Sequence, residues 1–156
     1  MPTTFEHSTG GPEMLPELRP LWEDLNRHHA RVAPGLAAHF AAVTFEARIA
    51  LLQDRPQLWV ELVRDSQGVP VAYAFSSVDV HGRGELESIY VAPAHRGRGL
   101  GRQLARRQLA WLQERGARPI RVTVAVGNEA AQPFYRSLGF ETRATVLWLG
   151  QGQPKP

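Results

Sequence analysis

Glycine and arginine are concentrated in one short stretch of the chain, where together they have the chemistry of an anion site. The glycines are Gly97, Gly99 and Gly101, and the arginines are Arg96, Arg98, Arg102, Arg106 and Arg107. Glycine has no Cβ, so a ligand can approach its backbone closely, and a helix that starts here offers N–H groups with no partner inside the helix. No acidic residue lies between Glu87 and Glu114. The stretch therefore predicts a loop that binds a polyanion, most simply a phosphate.

The glycine loop (residues 96–101) lies between two predicted elements. Residues 85–91 are rich in apolar and β-branched side chains and lead to Pro93, which predicts a strand that ends before the loop. Residues 99–115 follow with good helix formers, and their apolar side chains recur on one side of a helix. A strand, a tight loop and the start of a helix therefore position the anion site.

The remaining patterns predict a mixture of helices and antiparallel strands. Apolar spacing of three and four predicts helices over 13–31 and 36–53. A turn cluster at 65–68 joins strands at 58–63 and 69–75 into a hairpin. Further elements are a first strand at 3–7, a strand at 120–126, a short helix between Asn128 and Leu138, and last strands at 140–142 and 145–149.

Composition limits the class of protein. At 156 residues we expect one domain over 1–150 and a disordered tail over 151–156. The chain has no cysteine, which excludes disulfides, thiol nucleophiles and cysteine-rich zinc sites. The start lacks the pattern of a signal peptide, and no apolar run has the length of a membrane span. We therefore expect a soluble cytoplasmic protein without a membrane partner.

Two common phosphate loops do not fit these residues. A Walker A loop needs a Gly-Lys pair, and the only lysine of the chain is Lys155. A dinucleotide-binding G-x-G-x-x-G pattern starting at Gly97 meets Arg102 where its third glycine belongs. The loop must therefore serve another phosphate ligand.

The chain resembles the GNAT superfamily of acyl-CoA-dependent N-acetyltransferases. The resemblance rests on three segments, which are Val91-x-Pro93, then Arg96-x-x-Gly99-x-Gly101, then Asn128-x-x-Ala131-x-x-x-Tyr135-x-x-x-Gly139-Phe140. It covers residues 55–149 and extends to the first third only through its helical character. It implies an α+β fold with a mixed, mostly antiparallel central sheet of about six or seven strands, flanked by about four helices.

The resemblance also implies acetyl-CoA as donor. In this family the pyrophosphate lies over the glycine loop, while the pantetheine arm runs along the preceding strand and contacts its main chain. The cofactor-binding residues expected from this are Ile89, Tyr90, Val91, Arg96, Gly97, Arg98, Gly99, Leu100, Gly101, Asn128 and Tyr135.

The implied reaction is direct attack of a primary amine on acetyl-CoA in a ternary complex. Tyr135 matches the family's frequent general acid, and Glu87 matches a carboxylate that takes the amine proton directly or through water. Tyr135 packing as a core aromatic, Glu87 as a solvated strand residue and Asn128 as a helix cap stay open as alternatives. Pro133 places the start of the last helix near Ala131 or Gln132, because proline is tolerated only in the first turn.

The acceptor amine is not specified by the sequence, and a small molecule is favoured over a protein N-terminus or lysine. A non-catalytic acyl-CoA-binding module is the main alternative. We expect no nucleic-acid partner, because the arginine stretch lacks interleaved aromatic residues. We also expect no metal site, since the histidines at 28, 29 and 39 have no carboxylate or cysteine at ligand spacing. Monomer and homodimer are both left open.

Overall fold

A computed structural model describes residues 4–149, and its centre is a five-stranded sheet. The strands lie in the same order as in the chain, and every neighbouring pair is antiparallel except β4 and β5, which are parallel. Their bounds are β1 Glu6–Gly10, β2 Gln57–Arg64, β3 Pro70–Val78, β4 Gly84–Val91 and β5 Ile120–Val122.

Helices precede, connect and follow these strands. Three come between β1 and β2, the longest joins β4 to β5, and a short one follows β5. Their bounds are α1 Arg19–Val32, α2 Ala37–Ala42, α3 Phe45–Ala50, α4 Leu100–Glu114 and α5 Gln132–Arg136. The α+β class is thereby confirmed. No helix among the described residues is long and apolar enough to span a bilayer.

The two faces of the sheet bury different helices because side chains alternate along a strand. Val60 and Leu62 of β2 face the cluster that contains Trp22 of α1 and Phe45 of α3. Val63 faces the opposite cluster, which α4 covers through Leu100 and Leu104. The side of α1–α3 and the side of α4 are therefore separate cores on one sheet.

The predicted hairpin is confirmed. β2 and β3 pair around the Val60–Phe75 position. A carboxylate oxygen of Asp65 accepts the backbone N–H groups of Gln67 and Val69 at 2.9 and 3.0 Å, which closes the turn. Gly68 supplies the positive φ of 79° that the turn requires.

In the first third of the chain, the helices begin and end at positions other than those predicted. A 3-10 segment, Pro12–Leu18, replaces the first turns of the predicted helix, and α1 begins only at Arg19. Pro16 and Pro20 explain the delay, because proline removes a backbone donor. The single helix predicted over 36–53 is wrong, since the Thr44 hydroxyl accepts the Ala47 N–H and begins a new helix.

The strand predictions at both ends of the chain also need correction. β1 is shifted from 3–7 to Glu6–Gly10, and Thr3 lies outside the described residues. β5 ends at Val122 instead of 126, and the strands predicted at 140–142 and 145–149 do not form. The described residues thus hold fewer strands than the predicted six or seven. The predicted tail at 151–156 lies outside them.

Candidate active site

The glycine loop connects β4 to α4 through two left-handed glycines. Gly97 has φ 75° and Gly99 has φ 80°, a region that other residues adopt only with strain. Gly99 is the N-cap of α4, and its carbonyl accepts the Gln103 N–H at 3.0 Å. A Cβ built on Gly97 or Gly99 would meet no described atom within 4 Å, so the space above the loop is open.

Arg96 braces the loop against the end of β4. Its Nε donates to the Val91 carbonyl at 2.8 Å, and its guanidinium lies 5.6 Å from the centre of the Tyr90 ring. Arg107 lies further along α4, and its Nε is 3.1 Å from a carboxylate oxygen of the buried Glu61. The two arginines therefore have different positions: Arg96 lies at the loop, whereas Arg107 connects α4 to β2.

An opening in the sheet leads from the loop along β4. β4 and β5 pair only from Gly84 opposite Ile120 to Leu86 opposite Val122. Beyond Leu86, β4 pairs with β3 alone, so its other edge has no strand partner within residues 4–149. The predicted pantetheine residues Ile89, Tyr90 and Val91 all lie on this free edge.

A β-bulge marks the point where β4 and β5 separate. Phe75 lies opposite Ser88, while Ser76 lies opposite Leu86, so Glu87 has no residue opposite it. Such an insertion bends the strand and increases its local twist. The bulge therefore explains both the opening and the position of Glu87 beside it.

The Glu87 carboxylate is held by basic and hydroxyl groups, and only 4% of its side chain is exposed. One oxygen accepts from the Ser77 hydroxyl at 2.5 Å and lies 3.8 Å from Arg55 Nε. The other oxygen accepts from Arg48 at 2.8 Å. The Glu87 carboxylate is therefore enclosed by its partners and has little contact with solvent.

Tyr73 and Ser88 extend this polar group on the same face of the sheet. The Tyr73 hydroxyl and Ser88 Oγ are 2.8 Å apart. Burial raises the pKa of Tyr73, and the nearby tyrosines Tyr90 and Tyr135 raise it further. The three tyrosines of the chain thus converge beside the opening.

Tyr135 lies on α5, which begins at Gln132 with Pro133 in its first turn, as the sequence predicts. Its ring packs edge-on against Phe134 and Phe140, with centroids 5.2 and 6.0 Å away. Burial raises the pKa of Tyr135 to about 12, so its hydroxyl keeps its proton at neutral pH. The hydroxyl is therefore in its neutral, protonated form in this environment.

α5 lies close to the first turn of α4. Arg102 donates to Ser137 Oγ at 3.1 Å. A Cβ built on Gly101 would lie 4.0 Å from the Phe134 ring and 3.7 Å from Val91. The glycine loop, the end of β4 and the helix that carries Tyr135 are therefore brought together.

Asn128 begins the segment before α5. It precedes a 3-10 turn, Glu129–Ala131, but its side chain makes no capping hydrogen bond there. Gly127 beside it has φ 85°, and a Cβ at this position would lie 2.4 Å from the Val32 carbonyl. The segment therefore passes directly against the end of α1.

Sequence reasoning missed Arg48, Arg55 and Ser77 around Glu87. Ser77 is the only one with a usable pattern, since alternation places it on the same face of β3 as Tyr73 and Phe75. Arg48 comes from α3 and reaches Glu87 across 39 positions of the chain, a contact that no local spacing indicates. No group of three metal-ligating side chains is found within residues 4–149.

The Acetyltransferase (GNAT) family matches residues 16–140. The chain belongs to the GNAT acetyltransferase family. The match takes in the first helices as well as the sheet, the loop and α5, so it extends beyond the segments that carry the resemblance. Members of this family are acyl-CoA-dependent N-acetyltransferases, and their donor is acetyl-CoA.

Relatives of known sequence agree with this assignment. The chain is 28% identical over 136 residues to the aminoglycoside N(6')-acetyltransferase type 1 of Acinetobacter haemolyticus, which covers 84% of each protein. It is 33% identical over 94 residues to an uncharacterized N-acetyltransferase of Methanocaldococcus jannaschii. That alignment covers 56% of this chain and 42% of the M. jannaschii protein, so the chain spans less than half of that relative.

Solved structures share the fold. The aminoglycoside N-acetyltransferase AAC(6')-Iy, determined in complex with CoA, superimposes with a TM-score of 0.64 at 21% identity and covers 97% of both chains. At this level of identity the similarity concerns the fold, and the predicted GNAT architecture is confirmed.

Proposed function

We propose that this chain transfers the acetyl group of acetyl-CoA to the primary amine of a small molecule, by direct attack in a ternary complex. The observation that carries the proposal is the opening between β4 and β5, which ends at a glycine loop and the N-terminus of α4. This arrangement offers a strand edge to the amides of a pantetheine arm and an anion site to a pyrophosphate.

The donor's pyrophosphate is assigned to the glycine loop. N–H groups in the first turn of a helix have no partner inside the helix, and the helix dipole places partial positive charge there. The first turn of α4 contains no acidic residue that would oppose an anion. The residues assigned to this contact are Arg96, Gly97, Arg98, Gly99, Leu100 and Gly101.

The pantetheine arm is assigned to the free edge of β4. The side chains of Ile89 and Val91 pack on the side of α4, and Tyr90 packs on the side of α1 and α3. Because these side chains pack in the two cores, only the main-chain N–H and C=O groups along the free edge are left to bind the donor. A main-chain N–H of Tyr90 or Val91 then polarises the thioester carbonyl. Asn128, whose side chain does not cap the following turn, is assigned to the donor as well.

The reaction forms a carbon–nitrogen bond and breaks the carbon–sulfur bond of the thioester. The neutral amine attacks the carbonyl carbon, and the electron pair leaves with the sulfur. The Tyr135 hydroxyl supplies the proton that converts the leaving thiolate to the thiol of CoA. Tyr135 keeps its proton at neutral pH, so its hydroxyl carries the proton that this step transfers.

The proton lost by the amine is assigned to Glu87 through a water molecule. The carboxylate is too enclosed for direct contact with an acceptor, because 4% of its side chain is exposed and both oxygens have partners. Arg48 and Ser77 fix the direction in which Glu87 can accept a further hydrogen bond. A water at the bulge connects such a fixed carboxylate to the opening.

A small-molecule acceptor is favoured by the relative that aligns over most of both proteins. That relative is named for acetylation of an aminoglycoside, and the alignment covers 84% of each chain. On this chain the segment at Gly127 lies against the end of α1, where a Cβ on Gly127 would be 2.4 Å from the Val32 carbonyl oxygen. In this proposal the amine approaches the face of β4 that carries Ser88, and Glu87 is reached only through water.

The first experiment separates donor binding from catalysis. Acetyl-CoA at 100 times its dissociation constant is expected to raise the free energy of unfolding by about 2.7 kcal/mol, which a thermal shift measures. A panel of small amines, a peptide N-terminus and a lysine peptide is then tested for release of CoA. Because the chain has no cysteine, a thiol reagent reports CoA alone.

The outcomes differ for each alternative. Absence of a thermal shift with millimolar acetyl-CoA contradicts the donor assignment. A shift without thiol release across the panel favours a non-catalytic acyl-CoA-binding module. Release with only the peptides contradicts a small-molecule acceptor. For an active amine, intersecting initial-velocity lines are expected, whereas parallel lines would indicate an acetyl-enzyme and contradict direct attack.

A further inference from the structure

The bulge in β4 places two consecutive polar side chains on the same face of the sheet. In a regular strand, neighbouring side chains point to opposite faces. Here the Glu87 carboxylate accepts from Arg48 of α3, and Ser88 Oγ lies 2.8 Å from the hydroxyl of Tyr73, which belongs to the cluster that α1 and α3 cover. The extra residue that the bulge inserts accounts for this exception. Glu87 and Ser88 therefore lie beside the same part of the opening.

The Tyr73 hydroxyl has one hydrogen-bond partner among the described residues, and that partner is Ser88 Oγ. Tyr73 is 0% exposed, and its burial raises the pKa of its hydroxyl, which therefore keeps its hydrogen. A buried hydroxyl hydrogen without an acceptor is costly, because it has lost its bond to water. Tyr73 is therefore the donor in this pair, and Ser88 Oγ is the acceptor.

This direction leaves the hydroxyl hydrogen of Ser88 for another acceptor. A serine hydroxyl has one hydrogen and two lone pairs, and Tyr73 occupies one of the lone pairs. Ser88 is partly exposed and lies on the half of β4 whose outer edge has no strand partner within residues 4–149. Its hydroxyl is therefore a hydrogen-bond donor at the opening, held in orientation by a buried tyrosine.

The other donors beside Glu87 are bonded to its carboxylate. The single hydrogen of the Ser77 hydroxyl is donated to one carboxylate oxygen at 2.5 Å, and Ser77 is 0% exposed. Arg48 donates to the other oxygen at 2.8 Å. Ser88 is thus the hydroxyl on this face that can donate to a group between the opening and Glu87.

We propose that Ser88, oriented by Tyr73, is a positioning residue for the water that carries the amine proton to Glu87. This inference rests on the proposed function. One lone pair of the water accepts the Ser88 hydrogen, and the other accepts the N–H of the acceptor amine. One hydrogen of the water is donated to Glu87, since a carboxylate oxygen with one partner can accept another. The proton leaves the amine for the water, the water passes a proton to Glu87, and Ser88 keeps its own.

Ser88→Ala tests the positioning role. At pH 7, kcat/KM for an active amine is expected to fall roughly tenfold, a fraction of the roughly 10²–10⁴-fold that a positioned proton acceptor contributes. Ser88→Thr keeps a hydroxyl at the same position and is expected to restore activity to within about threefold of the wild type. The dissociation constant of acetyl-CoA, measured by calorimetry, is expected to stay unchanged in both variants.

Ser76→Ala is the matched control. Ser76 is a 0% exposed serine of the neighbouring strand β3, and it lies two positions after Ala74, on the side of the sheet that α4 covers. Its replacement removes a buried hydroxyl from the opposite face of the sheet. The kcat/KM of this variant is expected to equal that of the wild type from pH 7 to pH 10.

Two further measurements separate positioning from packing. The deficit of Ser88→Ala is expected to shrink as pH rises from 7 to 10, in the same way as the deficit of Glu87→Gln. The double variant Ser88→Ala with Glu87→Gln is expected to be no slower than Glu87→Gln alone, because residues that act through one water are not additive. Tyr73→Phe, which leaves Ser88 in place without its donor, is expected to give a smaller deficit with the same dependence on pH.

The results that would overturn the inference differ from those that would overturn the proposed function. A Ser88→Ala variant within about threefold of the wild type, beside a Glu87→Gln variant with a large deficit, would contradict the role of Ser88 alone. So would additive effects of the two substitutions, a deficit that is constant with pH, or one that Ser76→Ala shares. A Glu87→Gln variant with full activity would contradict the proposed proton route itself. If Ser88→Ala does not fold, Tyr73→Phe with unchanged kcat/KM overturns the inference by itself.

Discussion

At the scale of single residues, Glu87 lies among hydrogen-bond donors and Tyr135 lies among aromatic rings. Arg48 and Ser77 each donate a hydrogen bond to the Glu87 carboxylate, at 2.8 and 2.5 Å. Burial against Phe134 and Phe140 keeps the Tyr135 hydroxyl neutral. In the proposed mechanism Glu87 is the proton acceptor and Tyr135 is the proton donor.

Tyr135→Phe tests the proton donor. The substitution removes one hydroxyl and keeps the ring contacts, so kcat is expected to fall by roughly 10²–10⁴, the contribution typical of general acid catalysis. The dissociation constant of acetyl-CoA, measured by calorimetry, is expected to stay unchanged. A fall in kcat of less than about threefold would remove Tyr135 from the mechanism and leave it as a packing residue.

The pKa of Tyr135 also limits the pH profile. Since its pKa is raised to about 12, Tyr135 stays protonated below about pH 11. Any loss of wild-type activity between pH 8 and pH 10 must therefore come from another group, and the same loss is expected in Tyr135→Phe.

Glu87→Gln tests the proton acceptor. At neutral pH, kcat/KM for the amine is expected to fall by roughly 10²-fold, because the amine proton loses its acceptor. The deficit is expected to shrink as pH rises, since a growing fraction of the free amine is already neutral. The ratio of wild-type to variant kcat/KM, measured from pH 7 to pH 10, reports this change.

Glu85→Gln is the matched control for Glu87. Glu85 lies two positions earlier on β4 and is likewise paired, with Arg121 at 2.8 Å and the Thr123 hydroxyl at 3.2 Å. Its replacement is expected to leave the pH dependence of kcat/KM unchanged. A deficit that stays constant with pH in Glu87→Gln, or one that Glu85→Gln shares, would assign Glu87 a structural role.

At the scale of elements, the amino-acid sequence predicts the strand–loop–helix unit but not the opening beside it. Glycine at 97 and 99 and the helix formers after them are local signals, and the structure places an αL N-cap at Gly99. The end of β5 has no such signal. Residues 120–126 alternate throughout, but the bulge at Glu87 bends β4 away, and a strand ends where its neighbour leaves it.

The N-cap of α4 gives a prediction for the loop. Gly99→Ala places a Cβ on a residue with φ 80°, so the free energy of unfolding is expected to fall by roughly 1–2 kcal/mol. The dissociation constant of acetyl-CoA is expected to rise at least tenfold, because the loop must shift. Urea denaturation and calorimetry measure the two effects.

Gly101→Ala is the comparison within the same loop. Gly101 has an ordinary helical φ, and an added Cβ would lie 3.7 Å from Val91, a normal contact distance. Its stability is expected to stay within about 1 kcal/mol of the wild type, the difference between glycine and alanine in a helix. Equal destabilisation by both substitutions would show that the left-handed conformation of Gly99 is not what the loop needs.

At the scale of the whole molecule, the two cores and the sheet order follow from alternation and hairpin geometry, which are visible in the sequence. The contacts that join distant elements are not. Arg48 to Glu87, Arg107 to Glu61 and Gly127 to Val32 each depend on how packed elements meet, and no spacing within one element contains that information.

Burial of His29 makes the stability of the molecule depend on pH. Burial lowers the pKa of His29, and the charge of His28 lowers it further. The unfolded chain therefore binds a proton more readily near pH 6.5 than the folded chain does. Stability is expected to fall as pH decreases through about 6.5, with a slope of at most about 1.4 kcal/mol per pH unit from this one group.

His29→Phe removes this titration and keeps a ring against Phe40, whose centroid lies 5.4 Å away in the native contact. Urea midpoints between pH 5 and pH 8 are expected to vary less in the variant than in the wild type. An unchanged dependence on pH in His29→Phe would mean that another group, and not His29, destabilises the acid form.

The opening between β4 and β5 affects how fast the amides of β4 exchange hydrogen with solvent. Strands in the middle of a sheet are usually the slowest to exchange amide hydrogen with solvent, since both edges are bonded. Here the second half of β4 is central in the order of strands and yet bonded on one edge only. The amides of this interior strand should therefore exchange quickly in the free enzyme and slowly once donor lies along them. Of all the strands, the second half of β4 should therefore show the largest decrease in amide exchange rate when acyl-CoA binds.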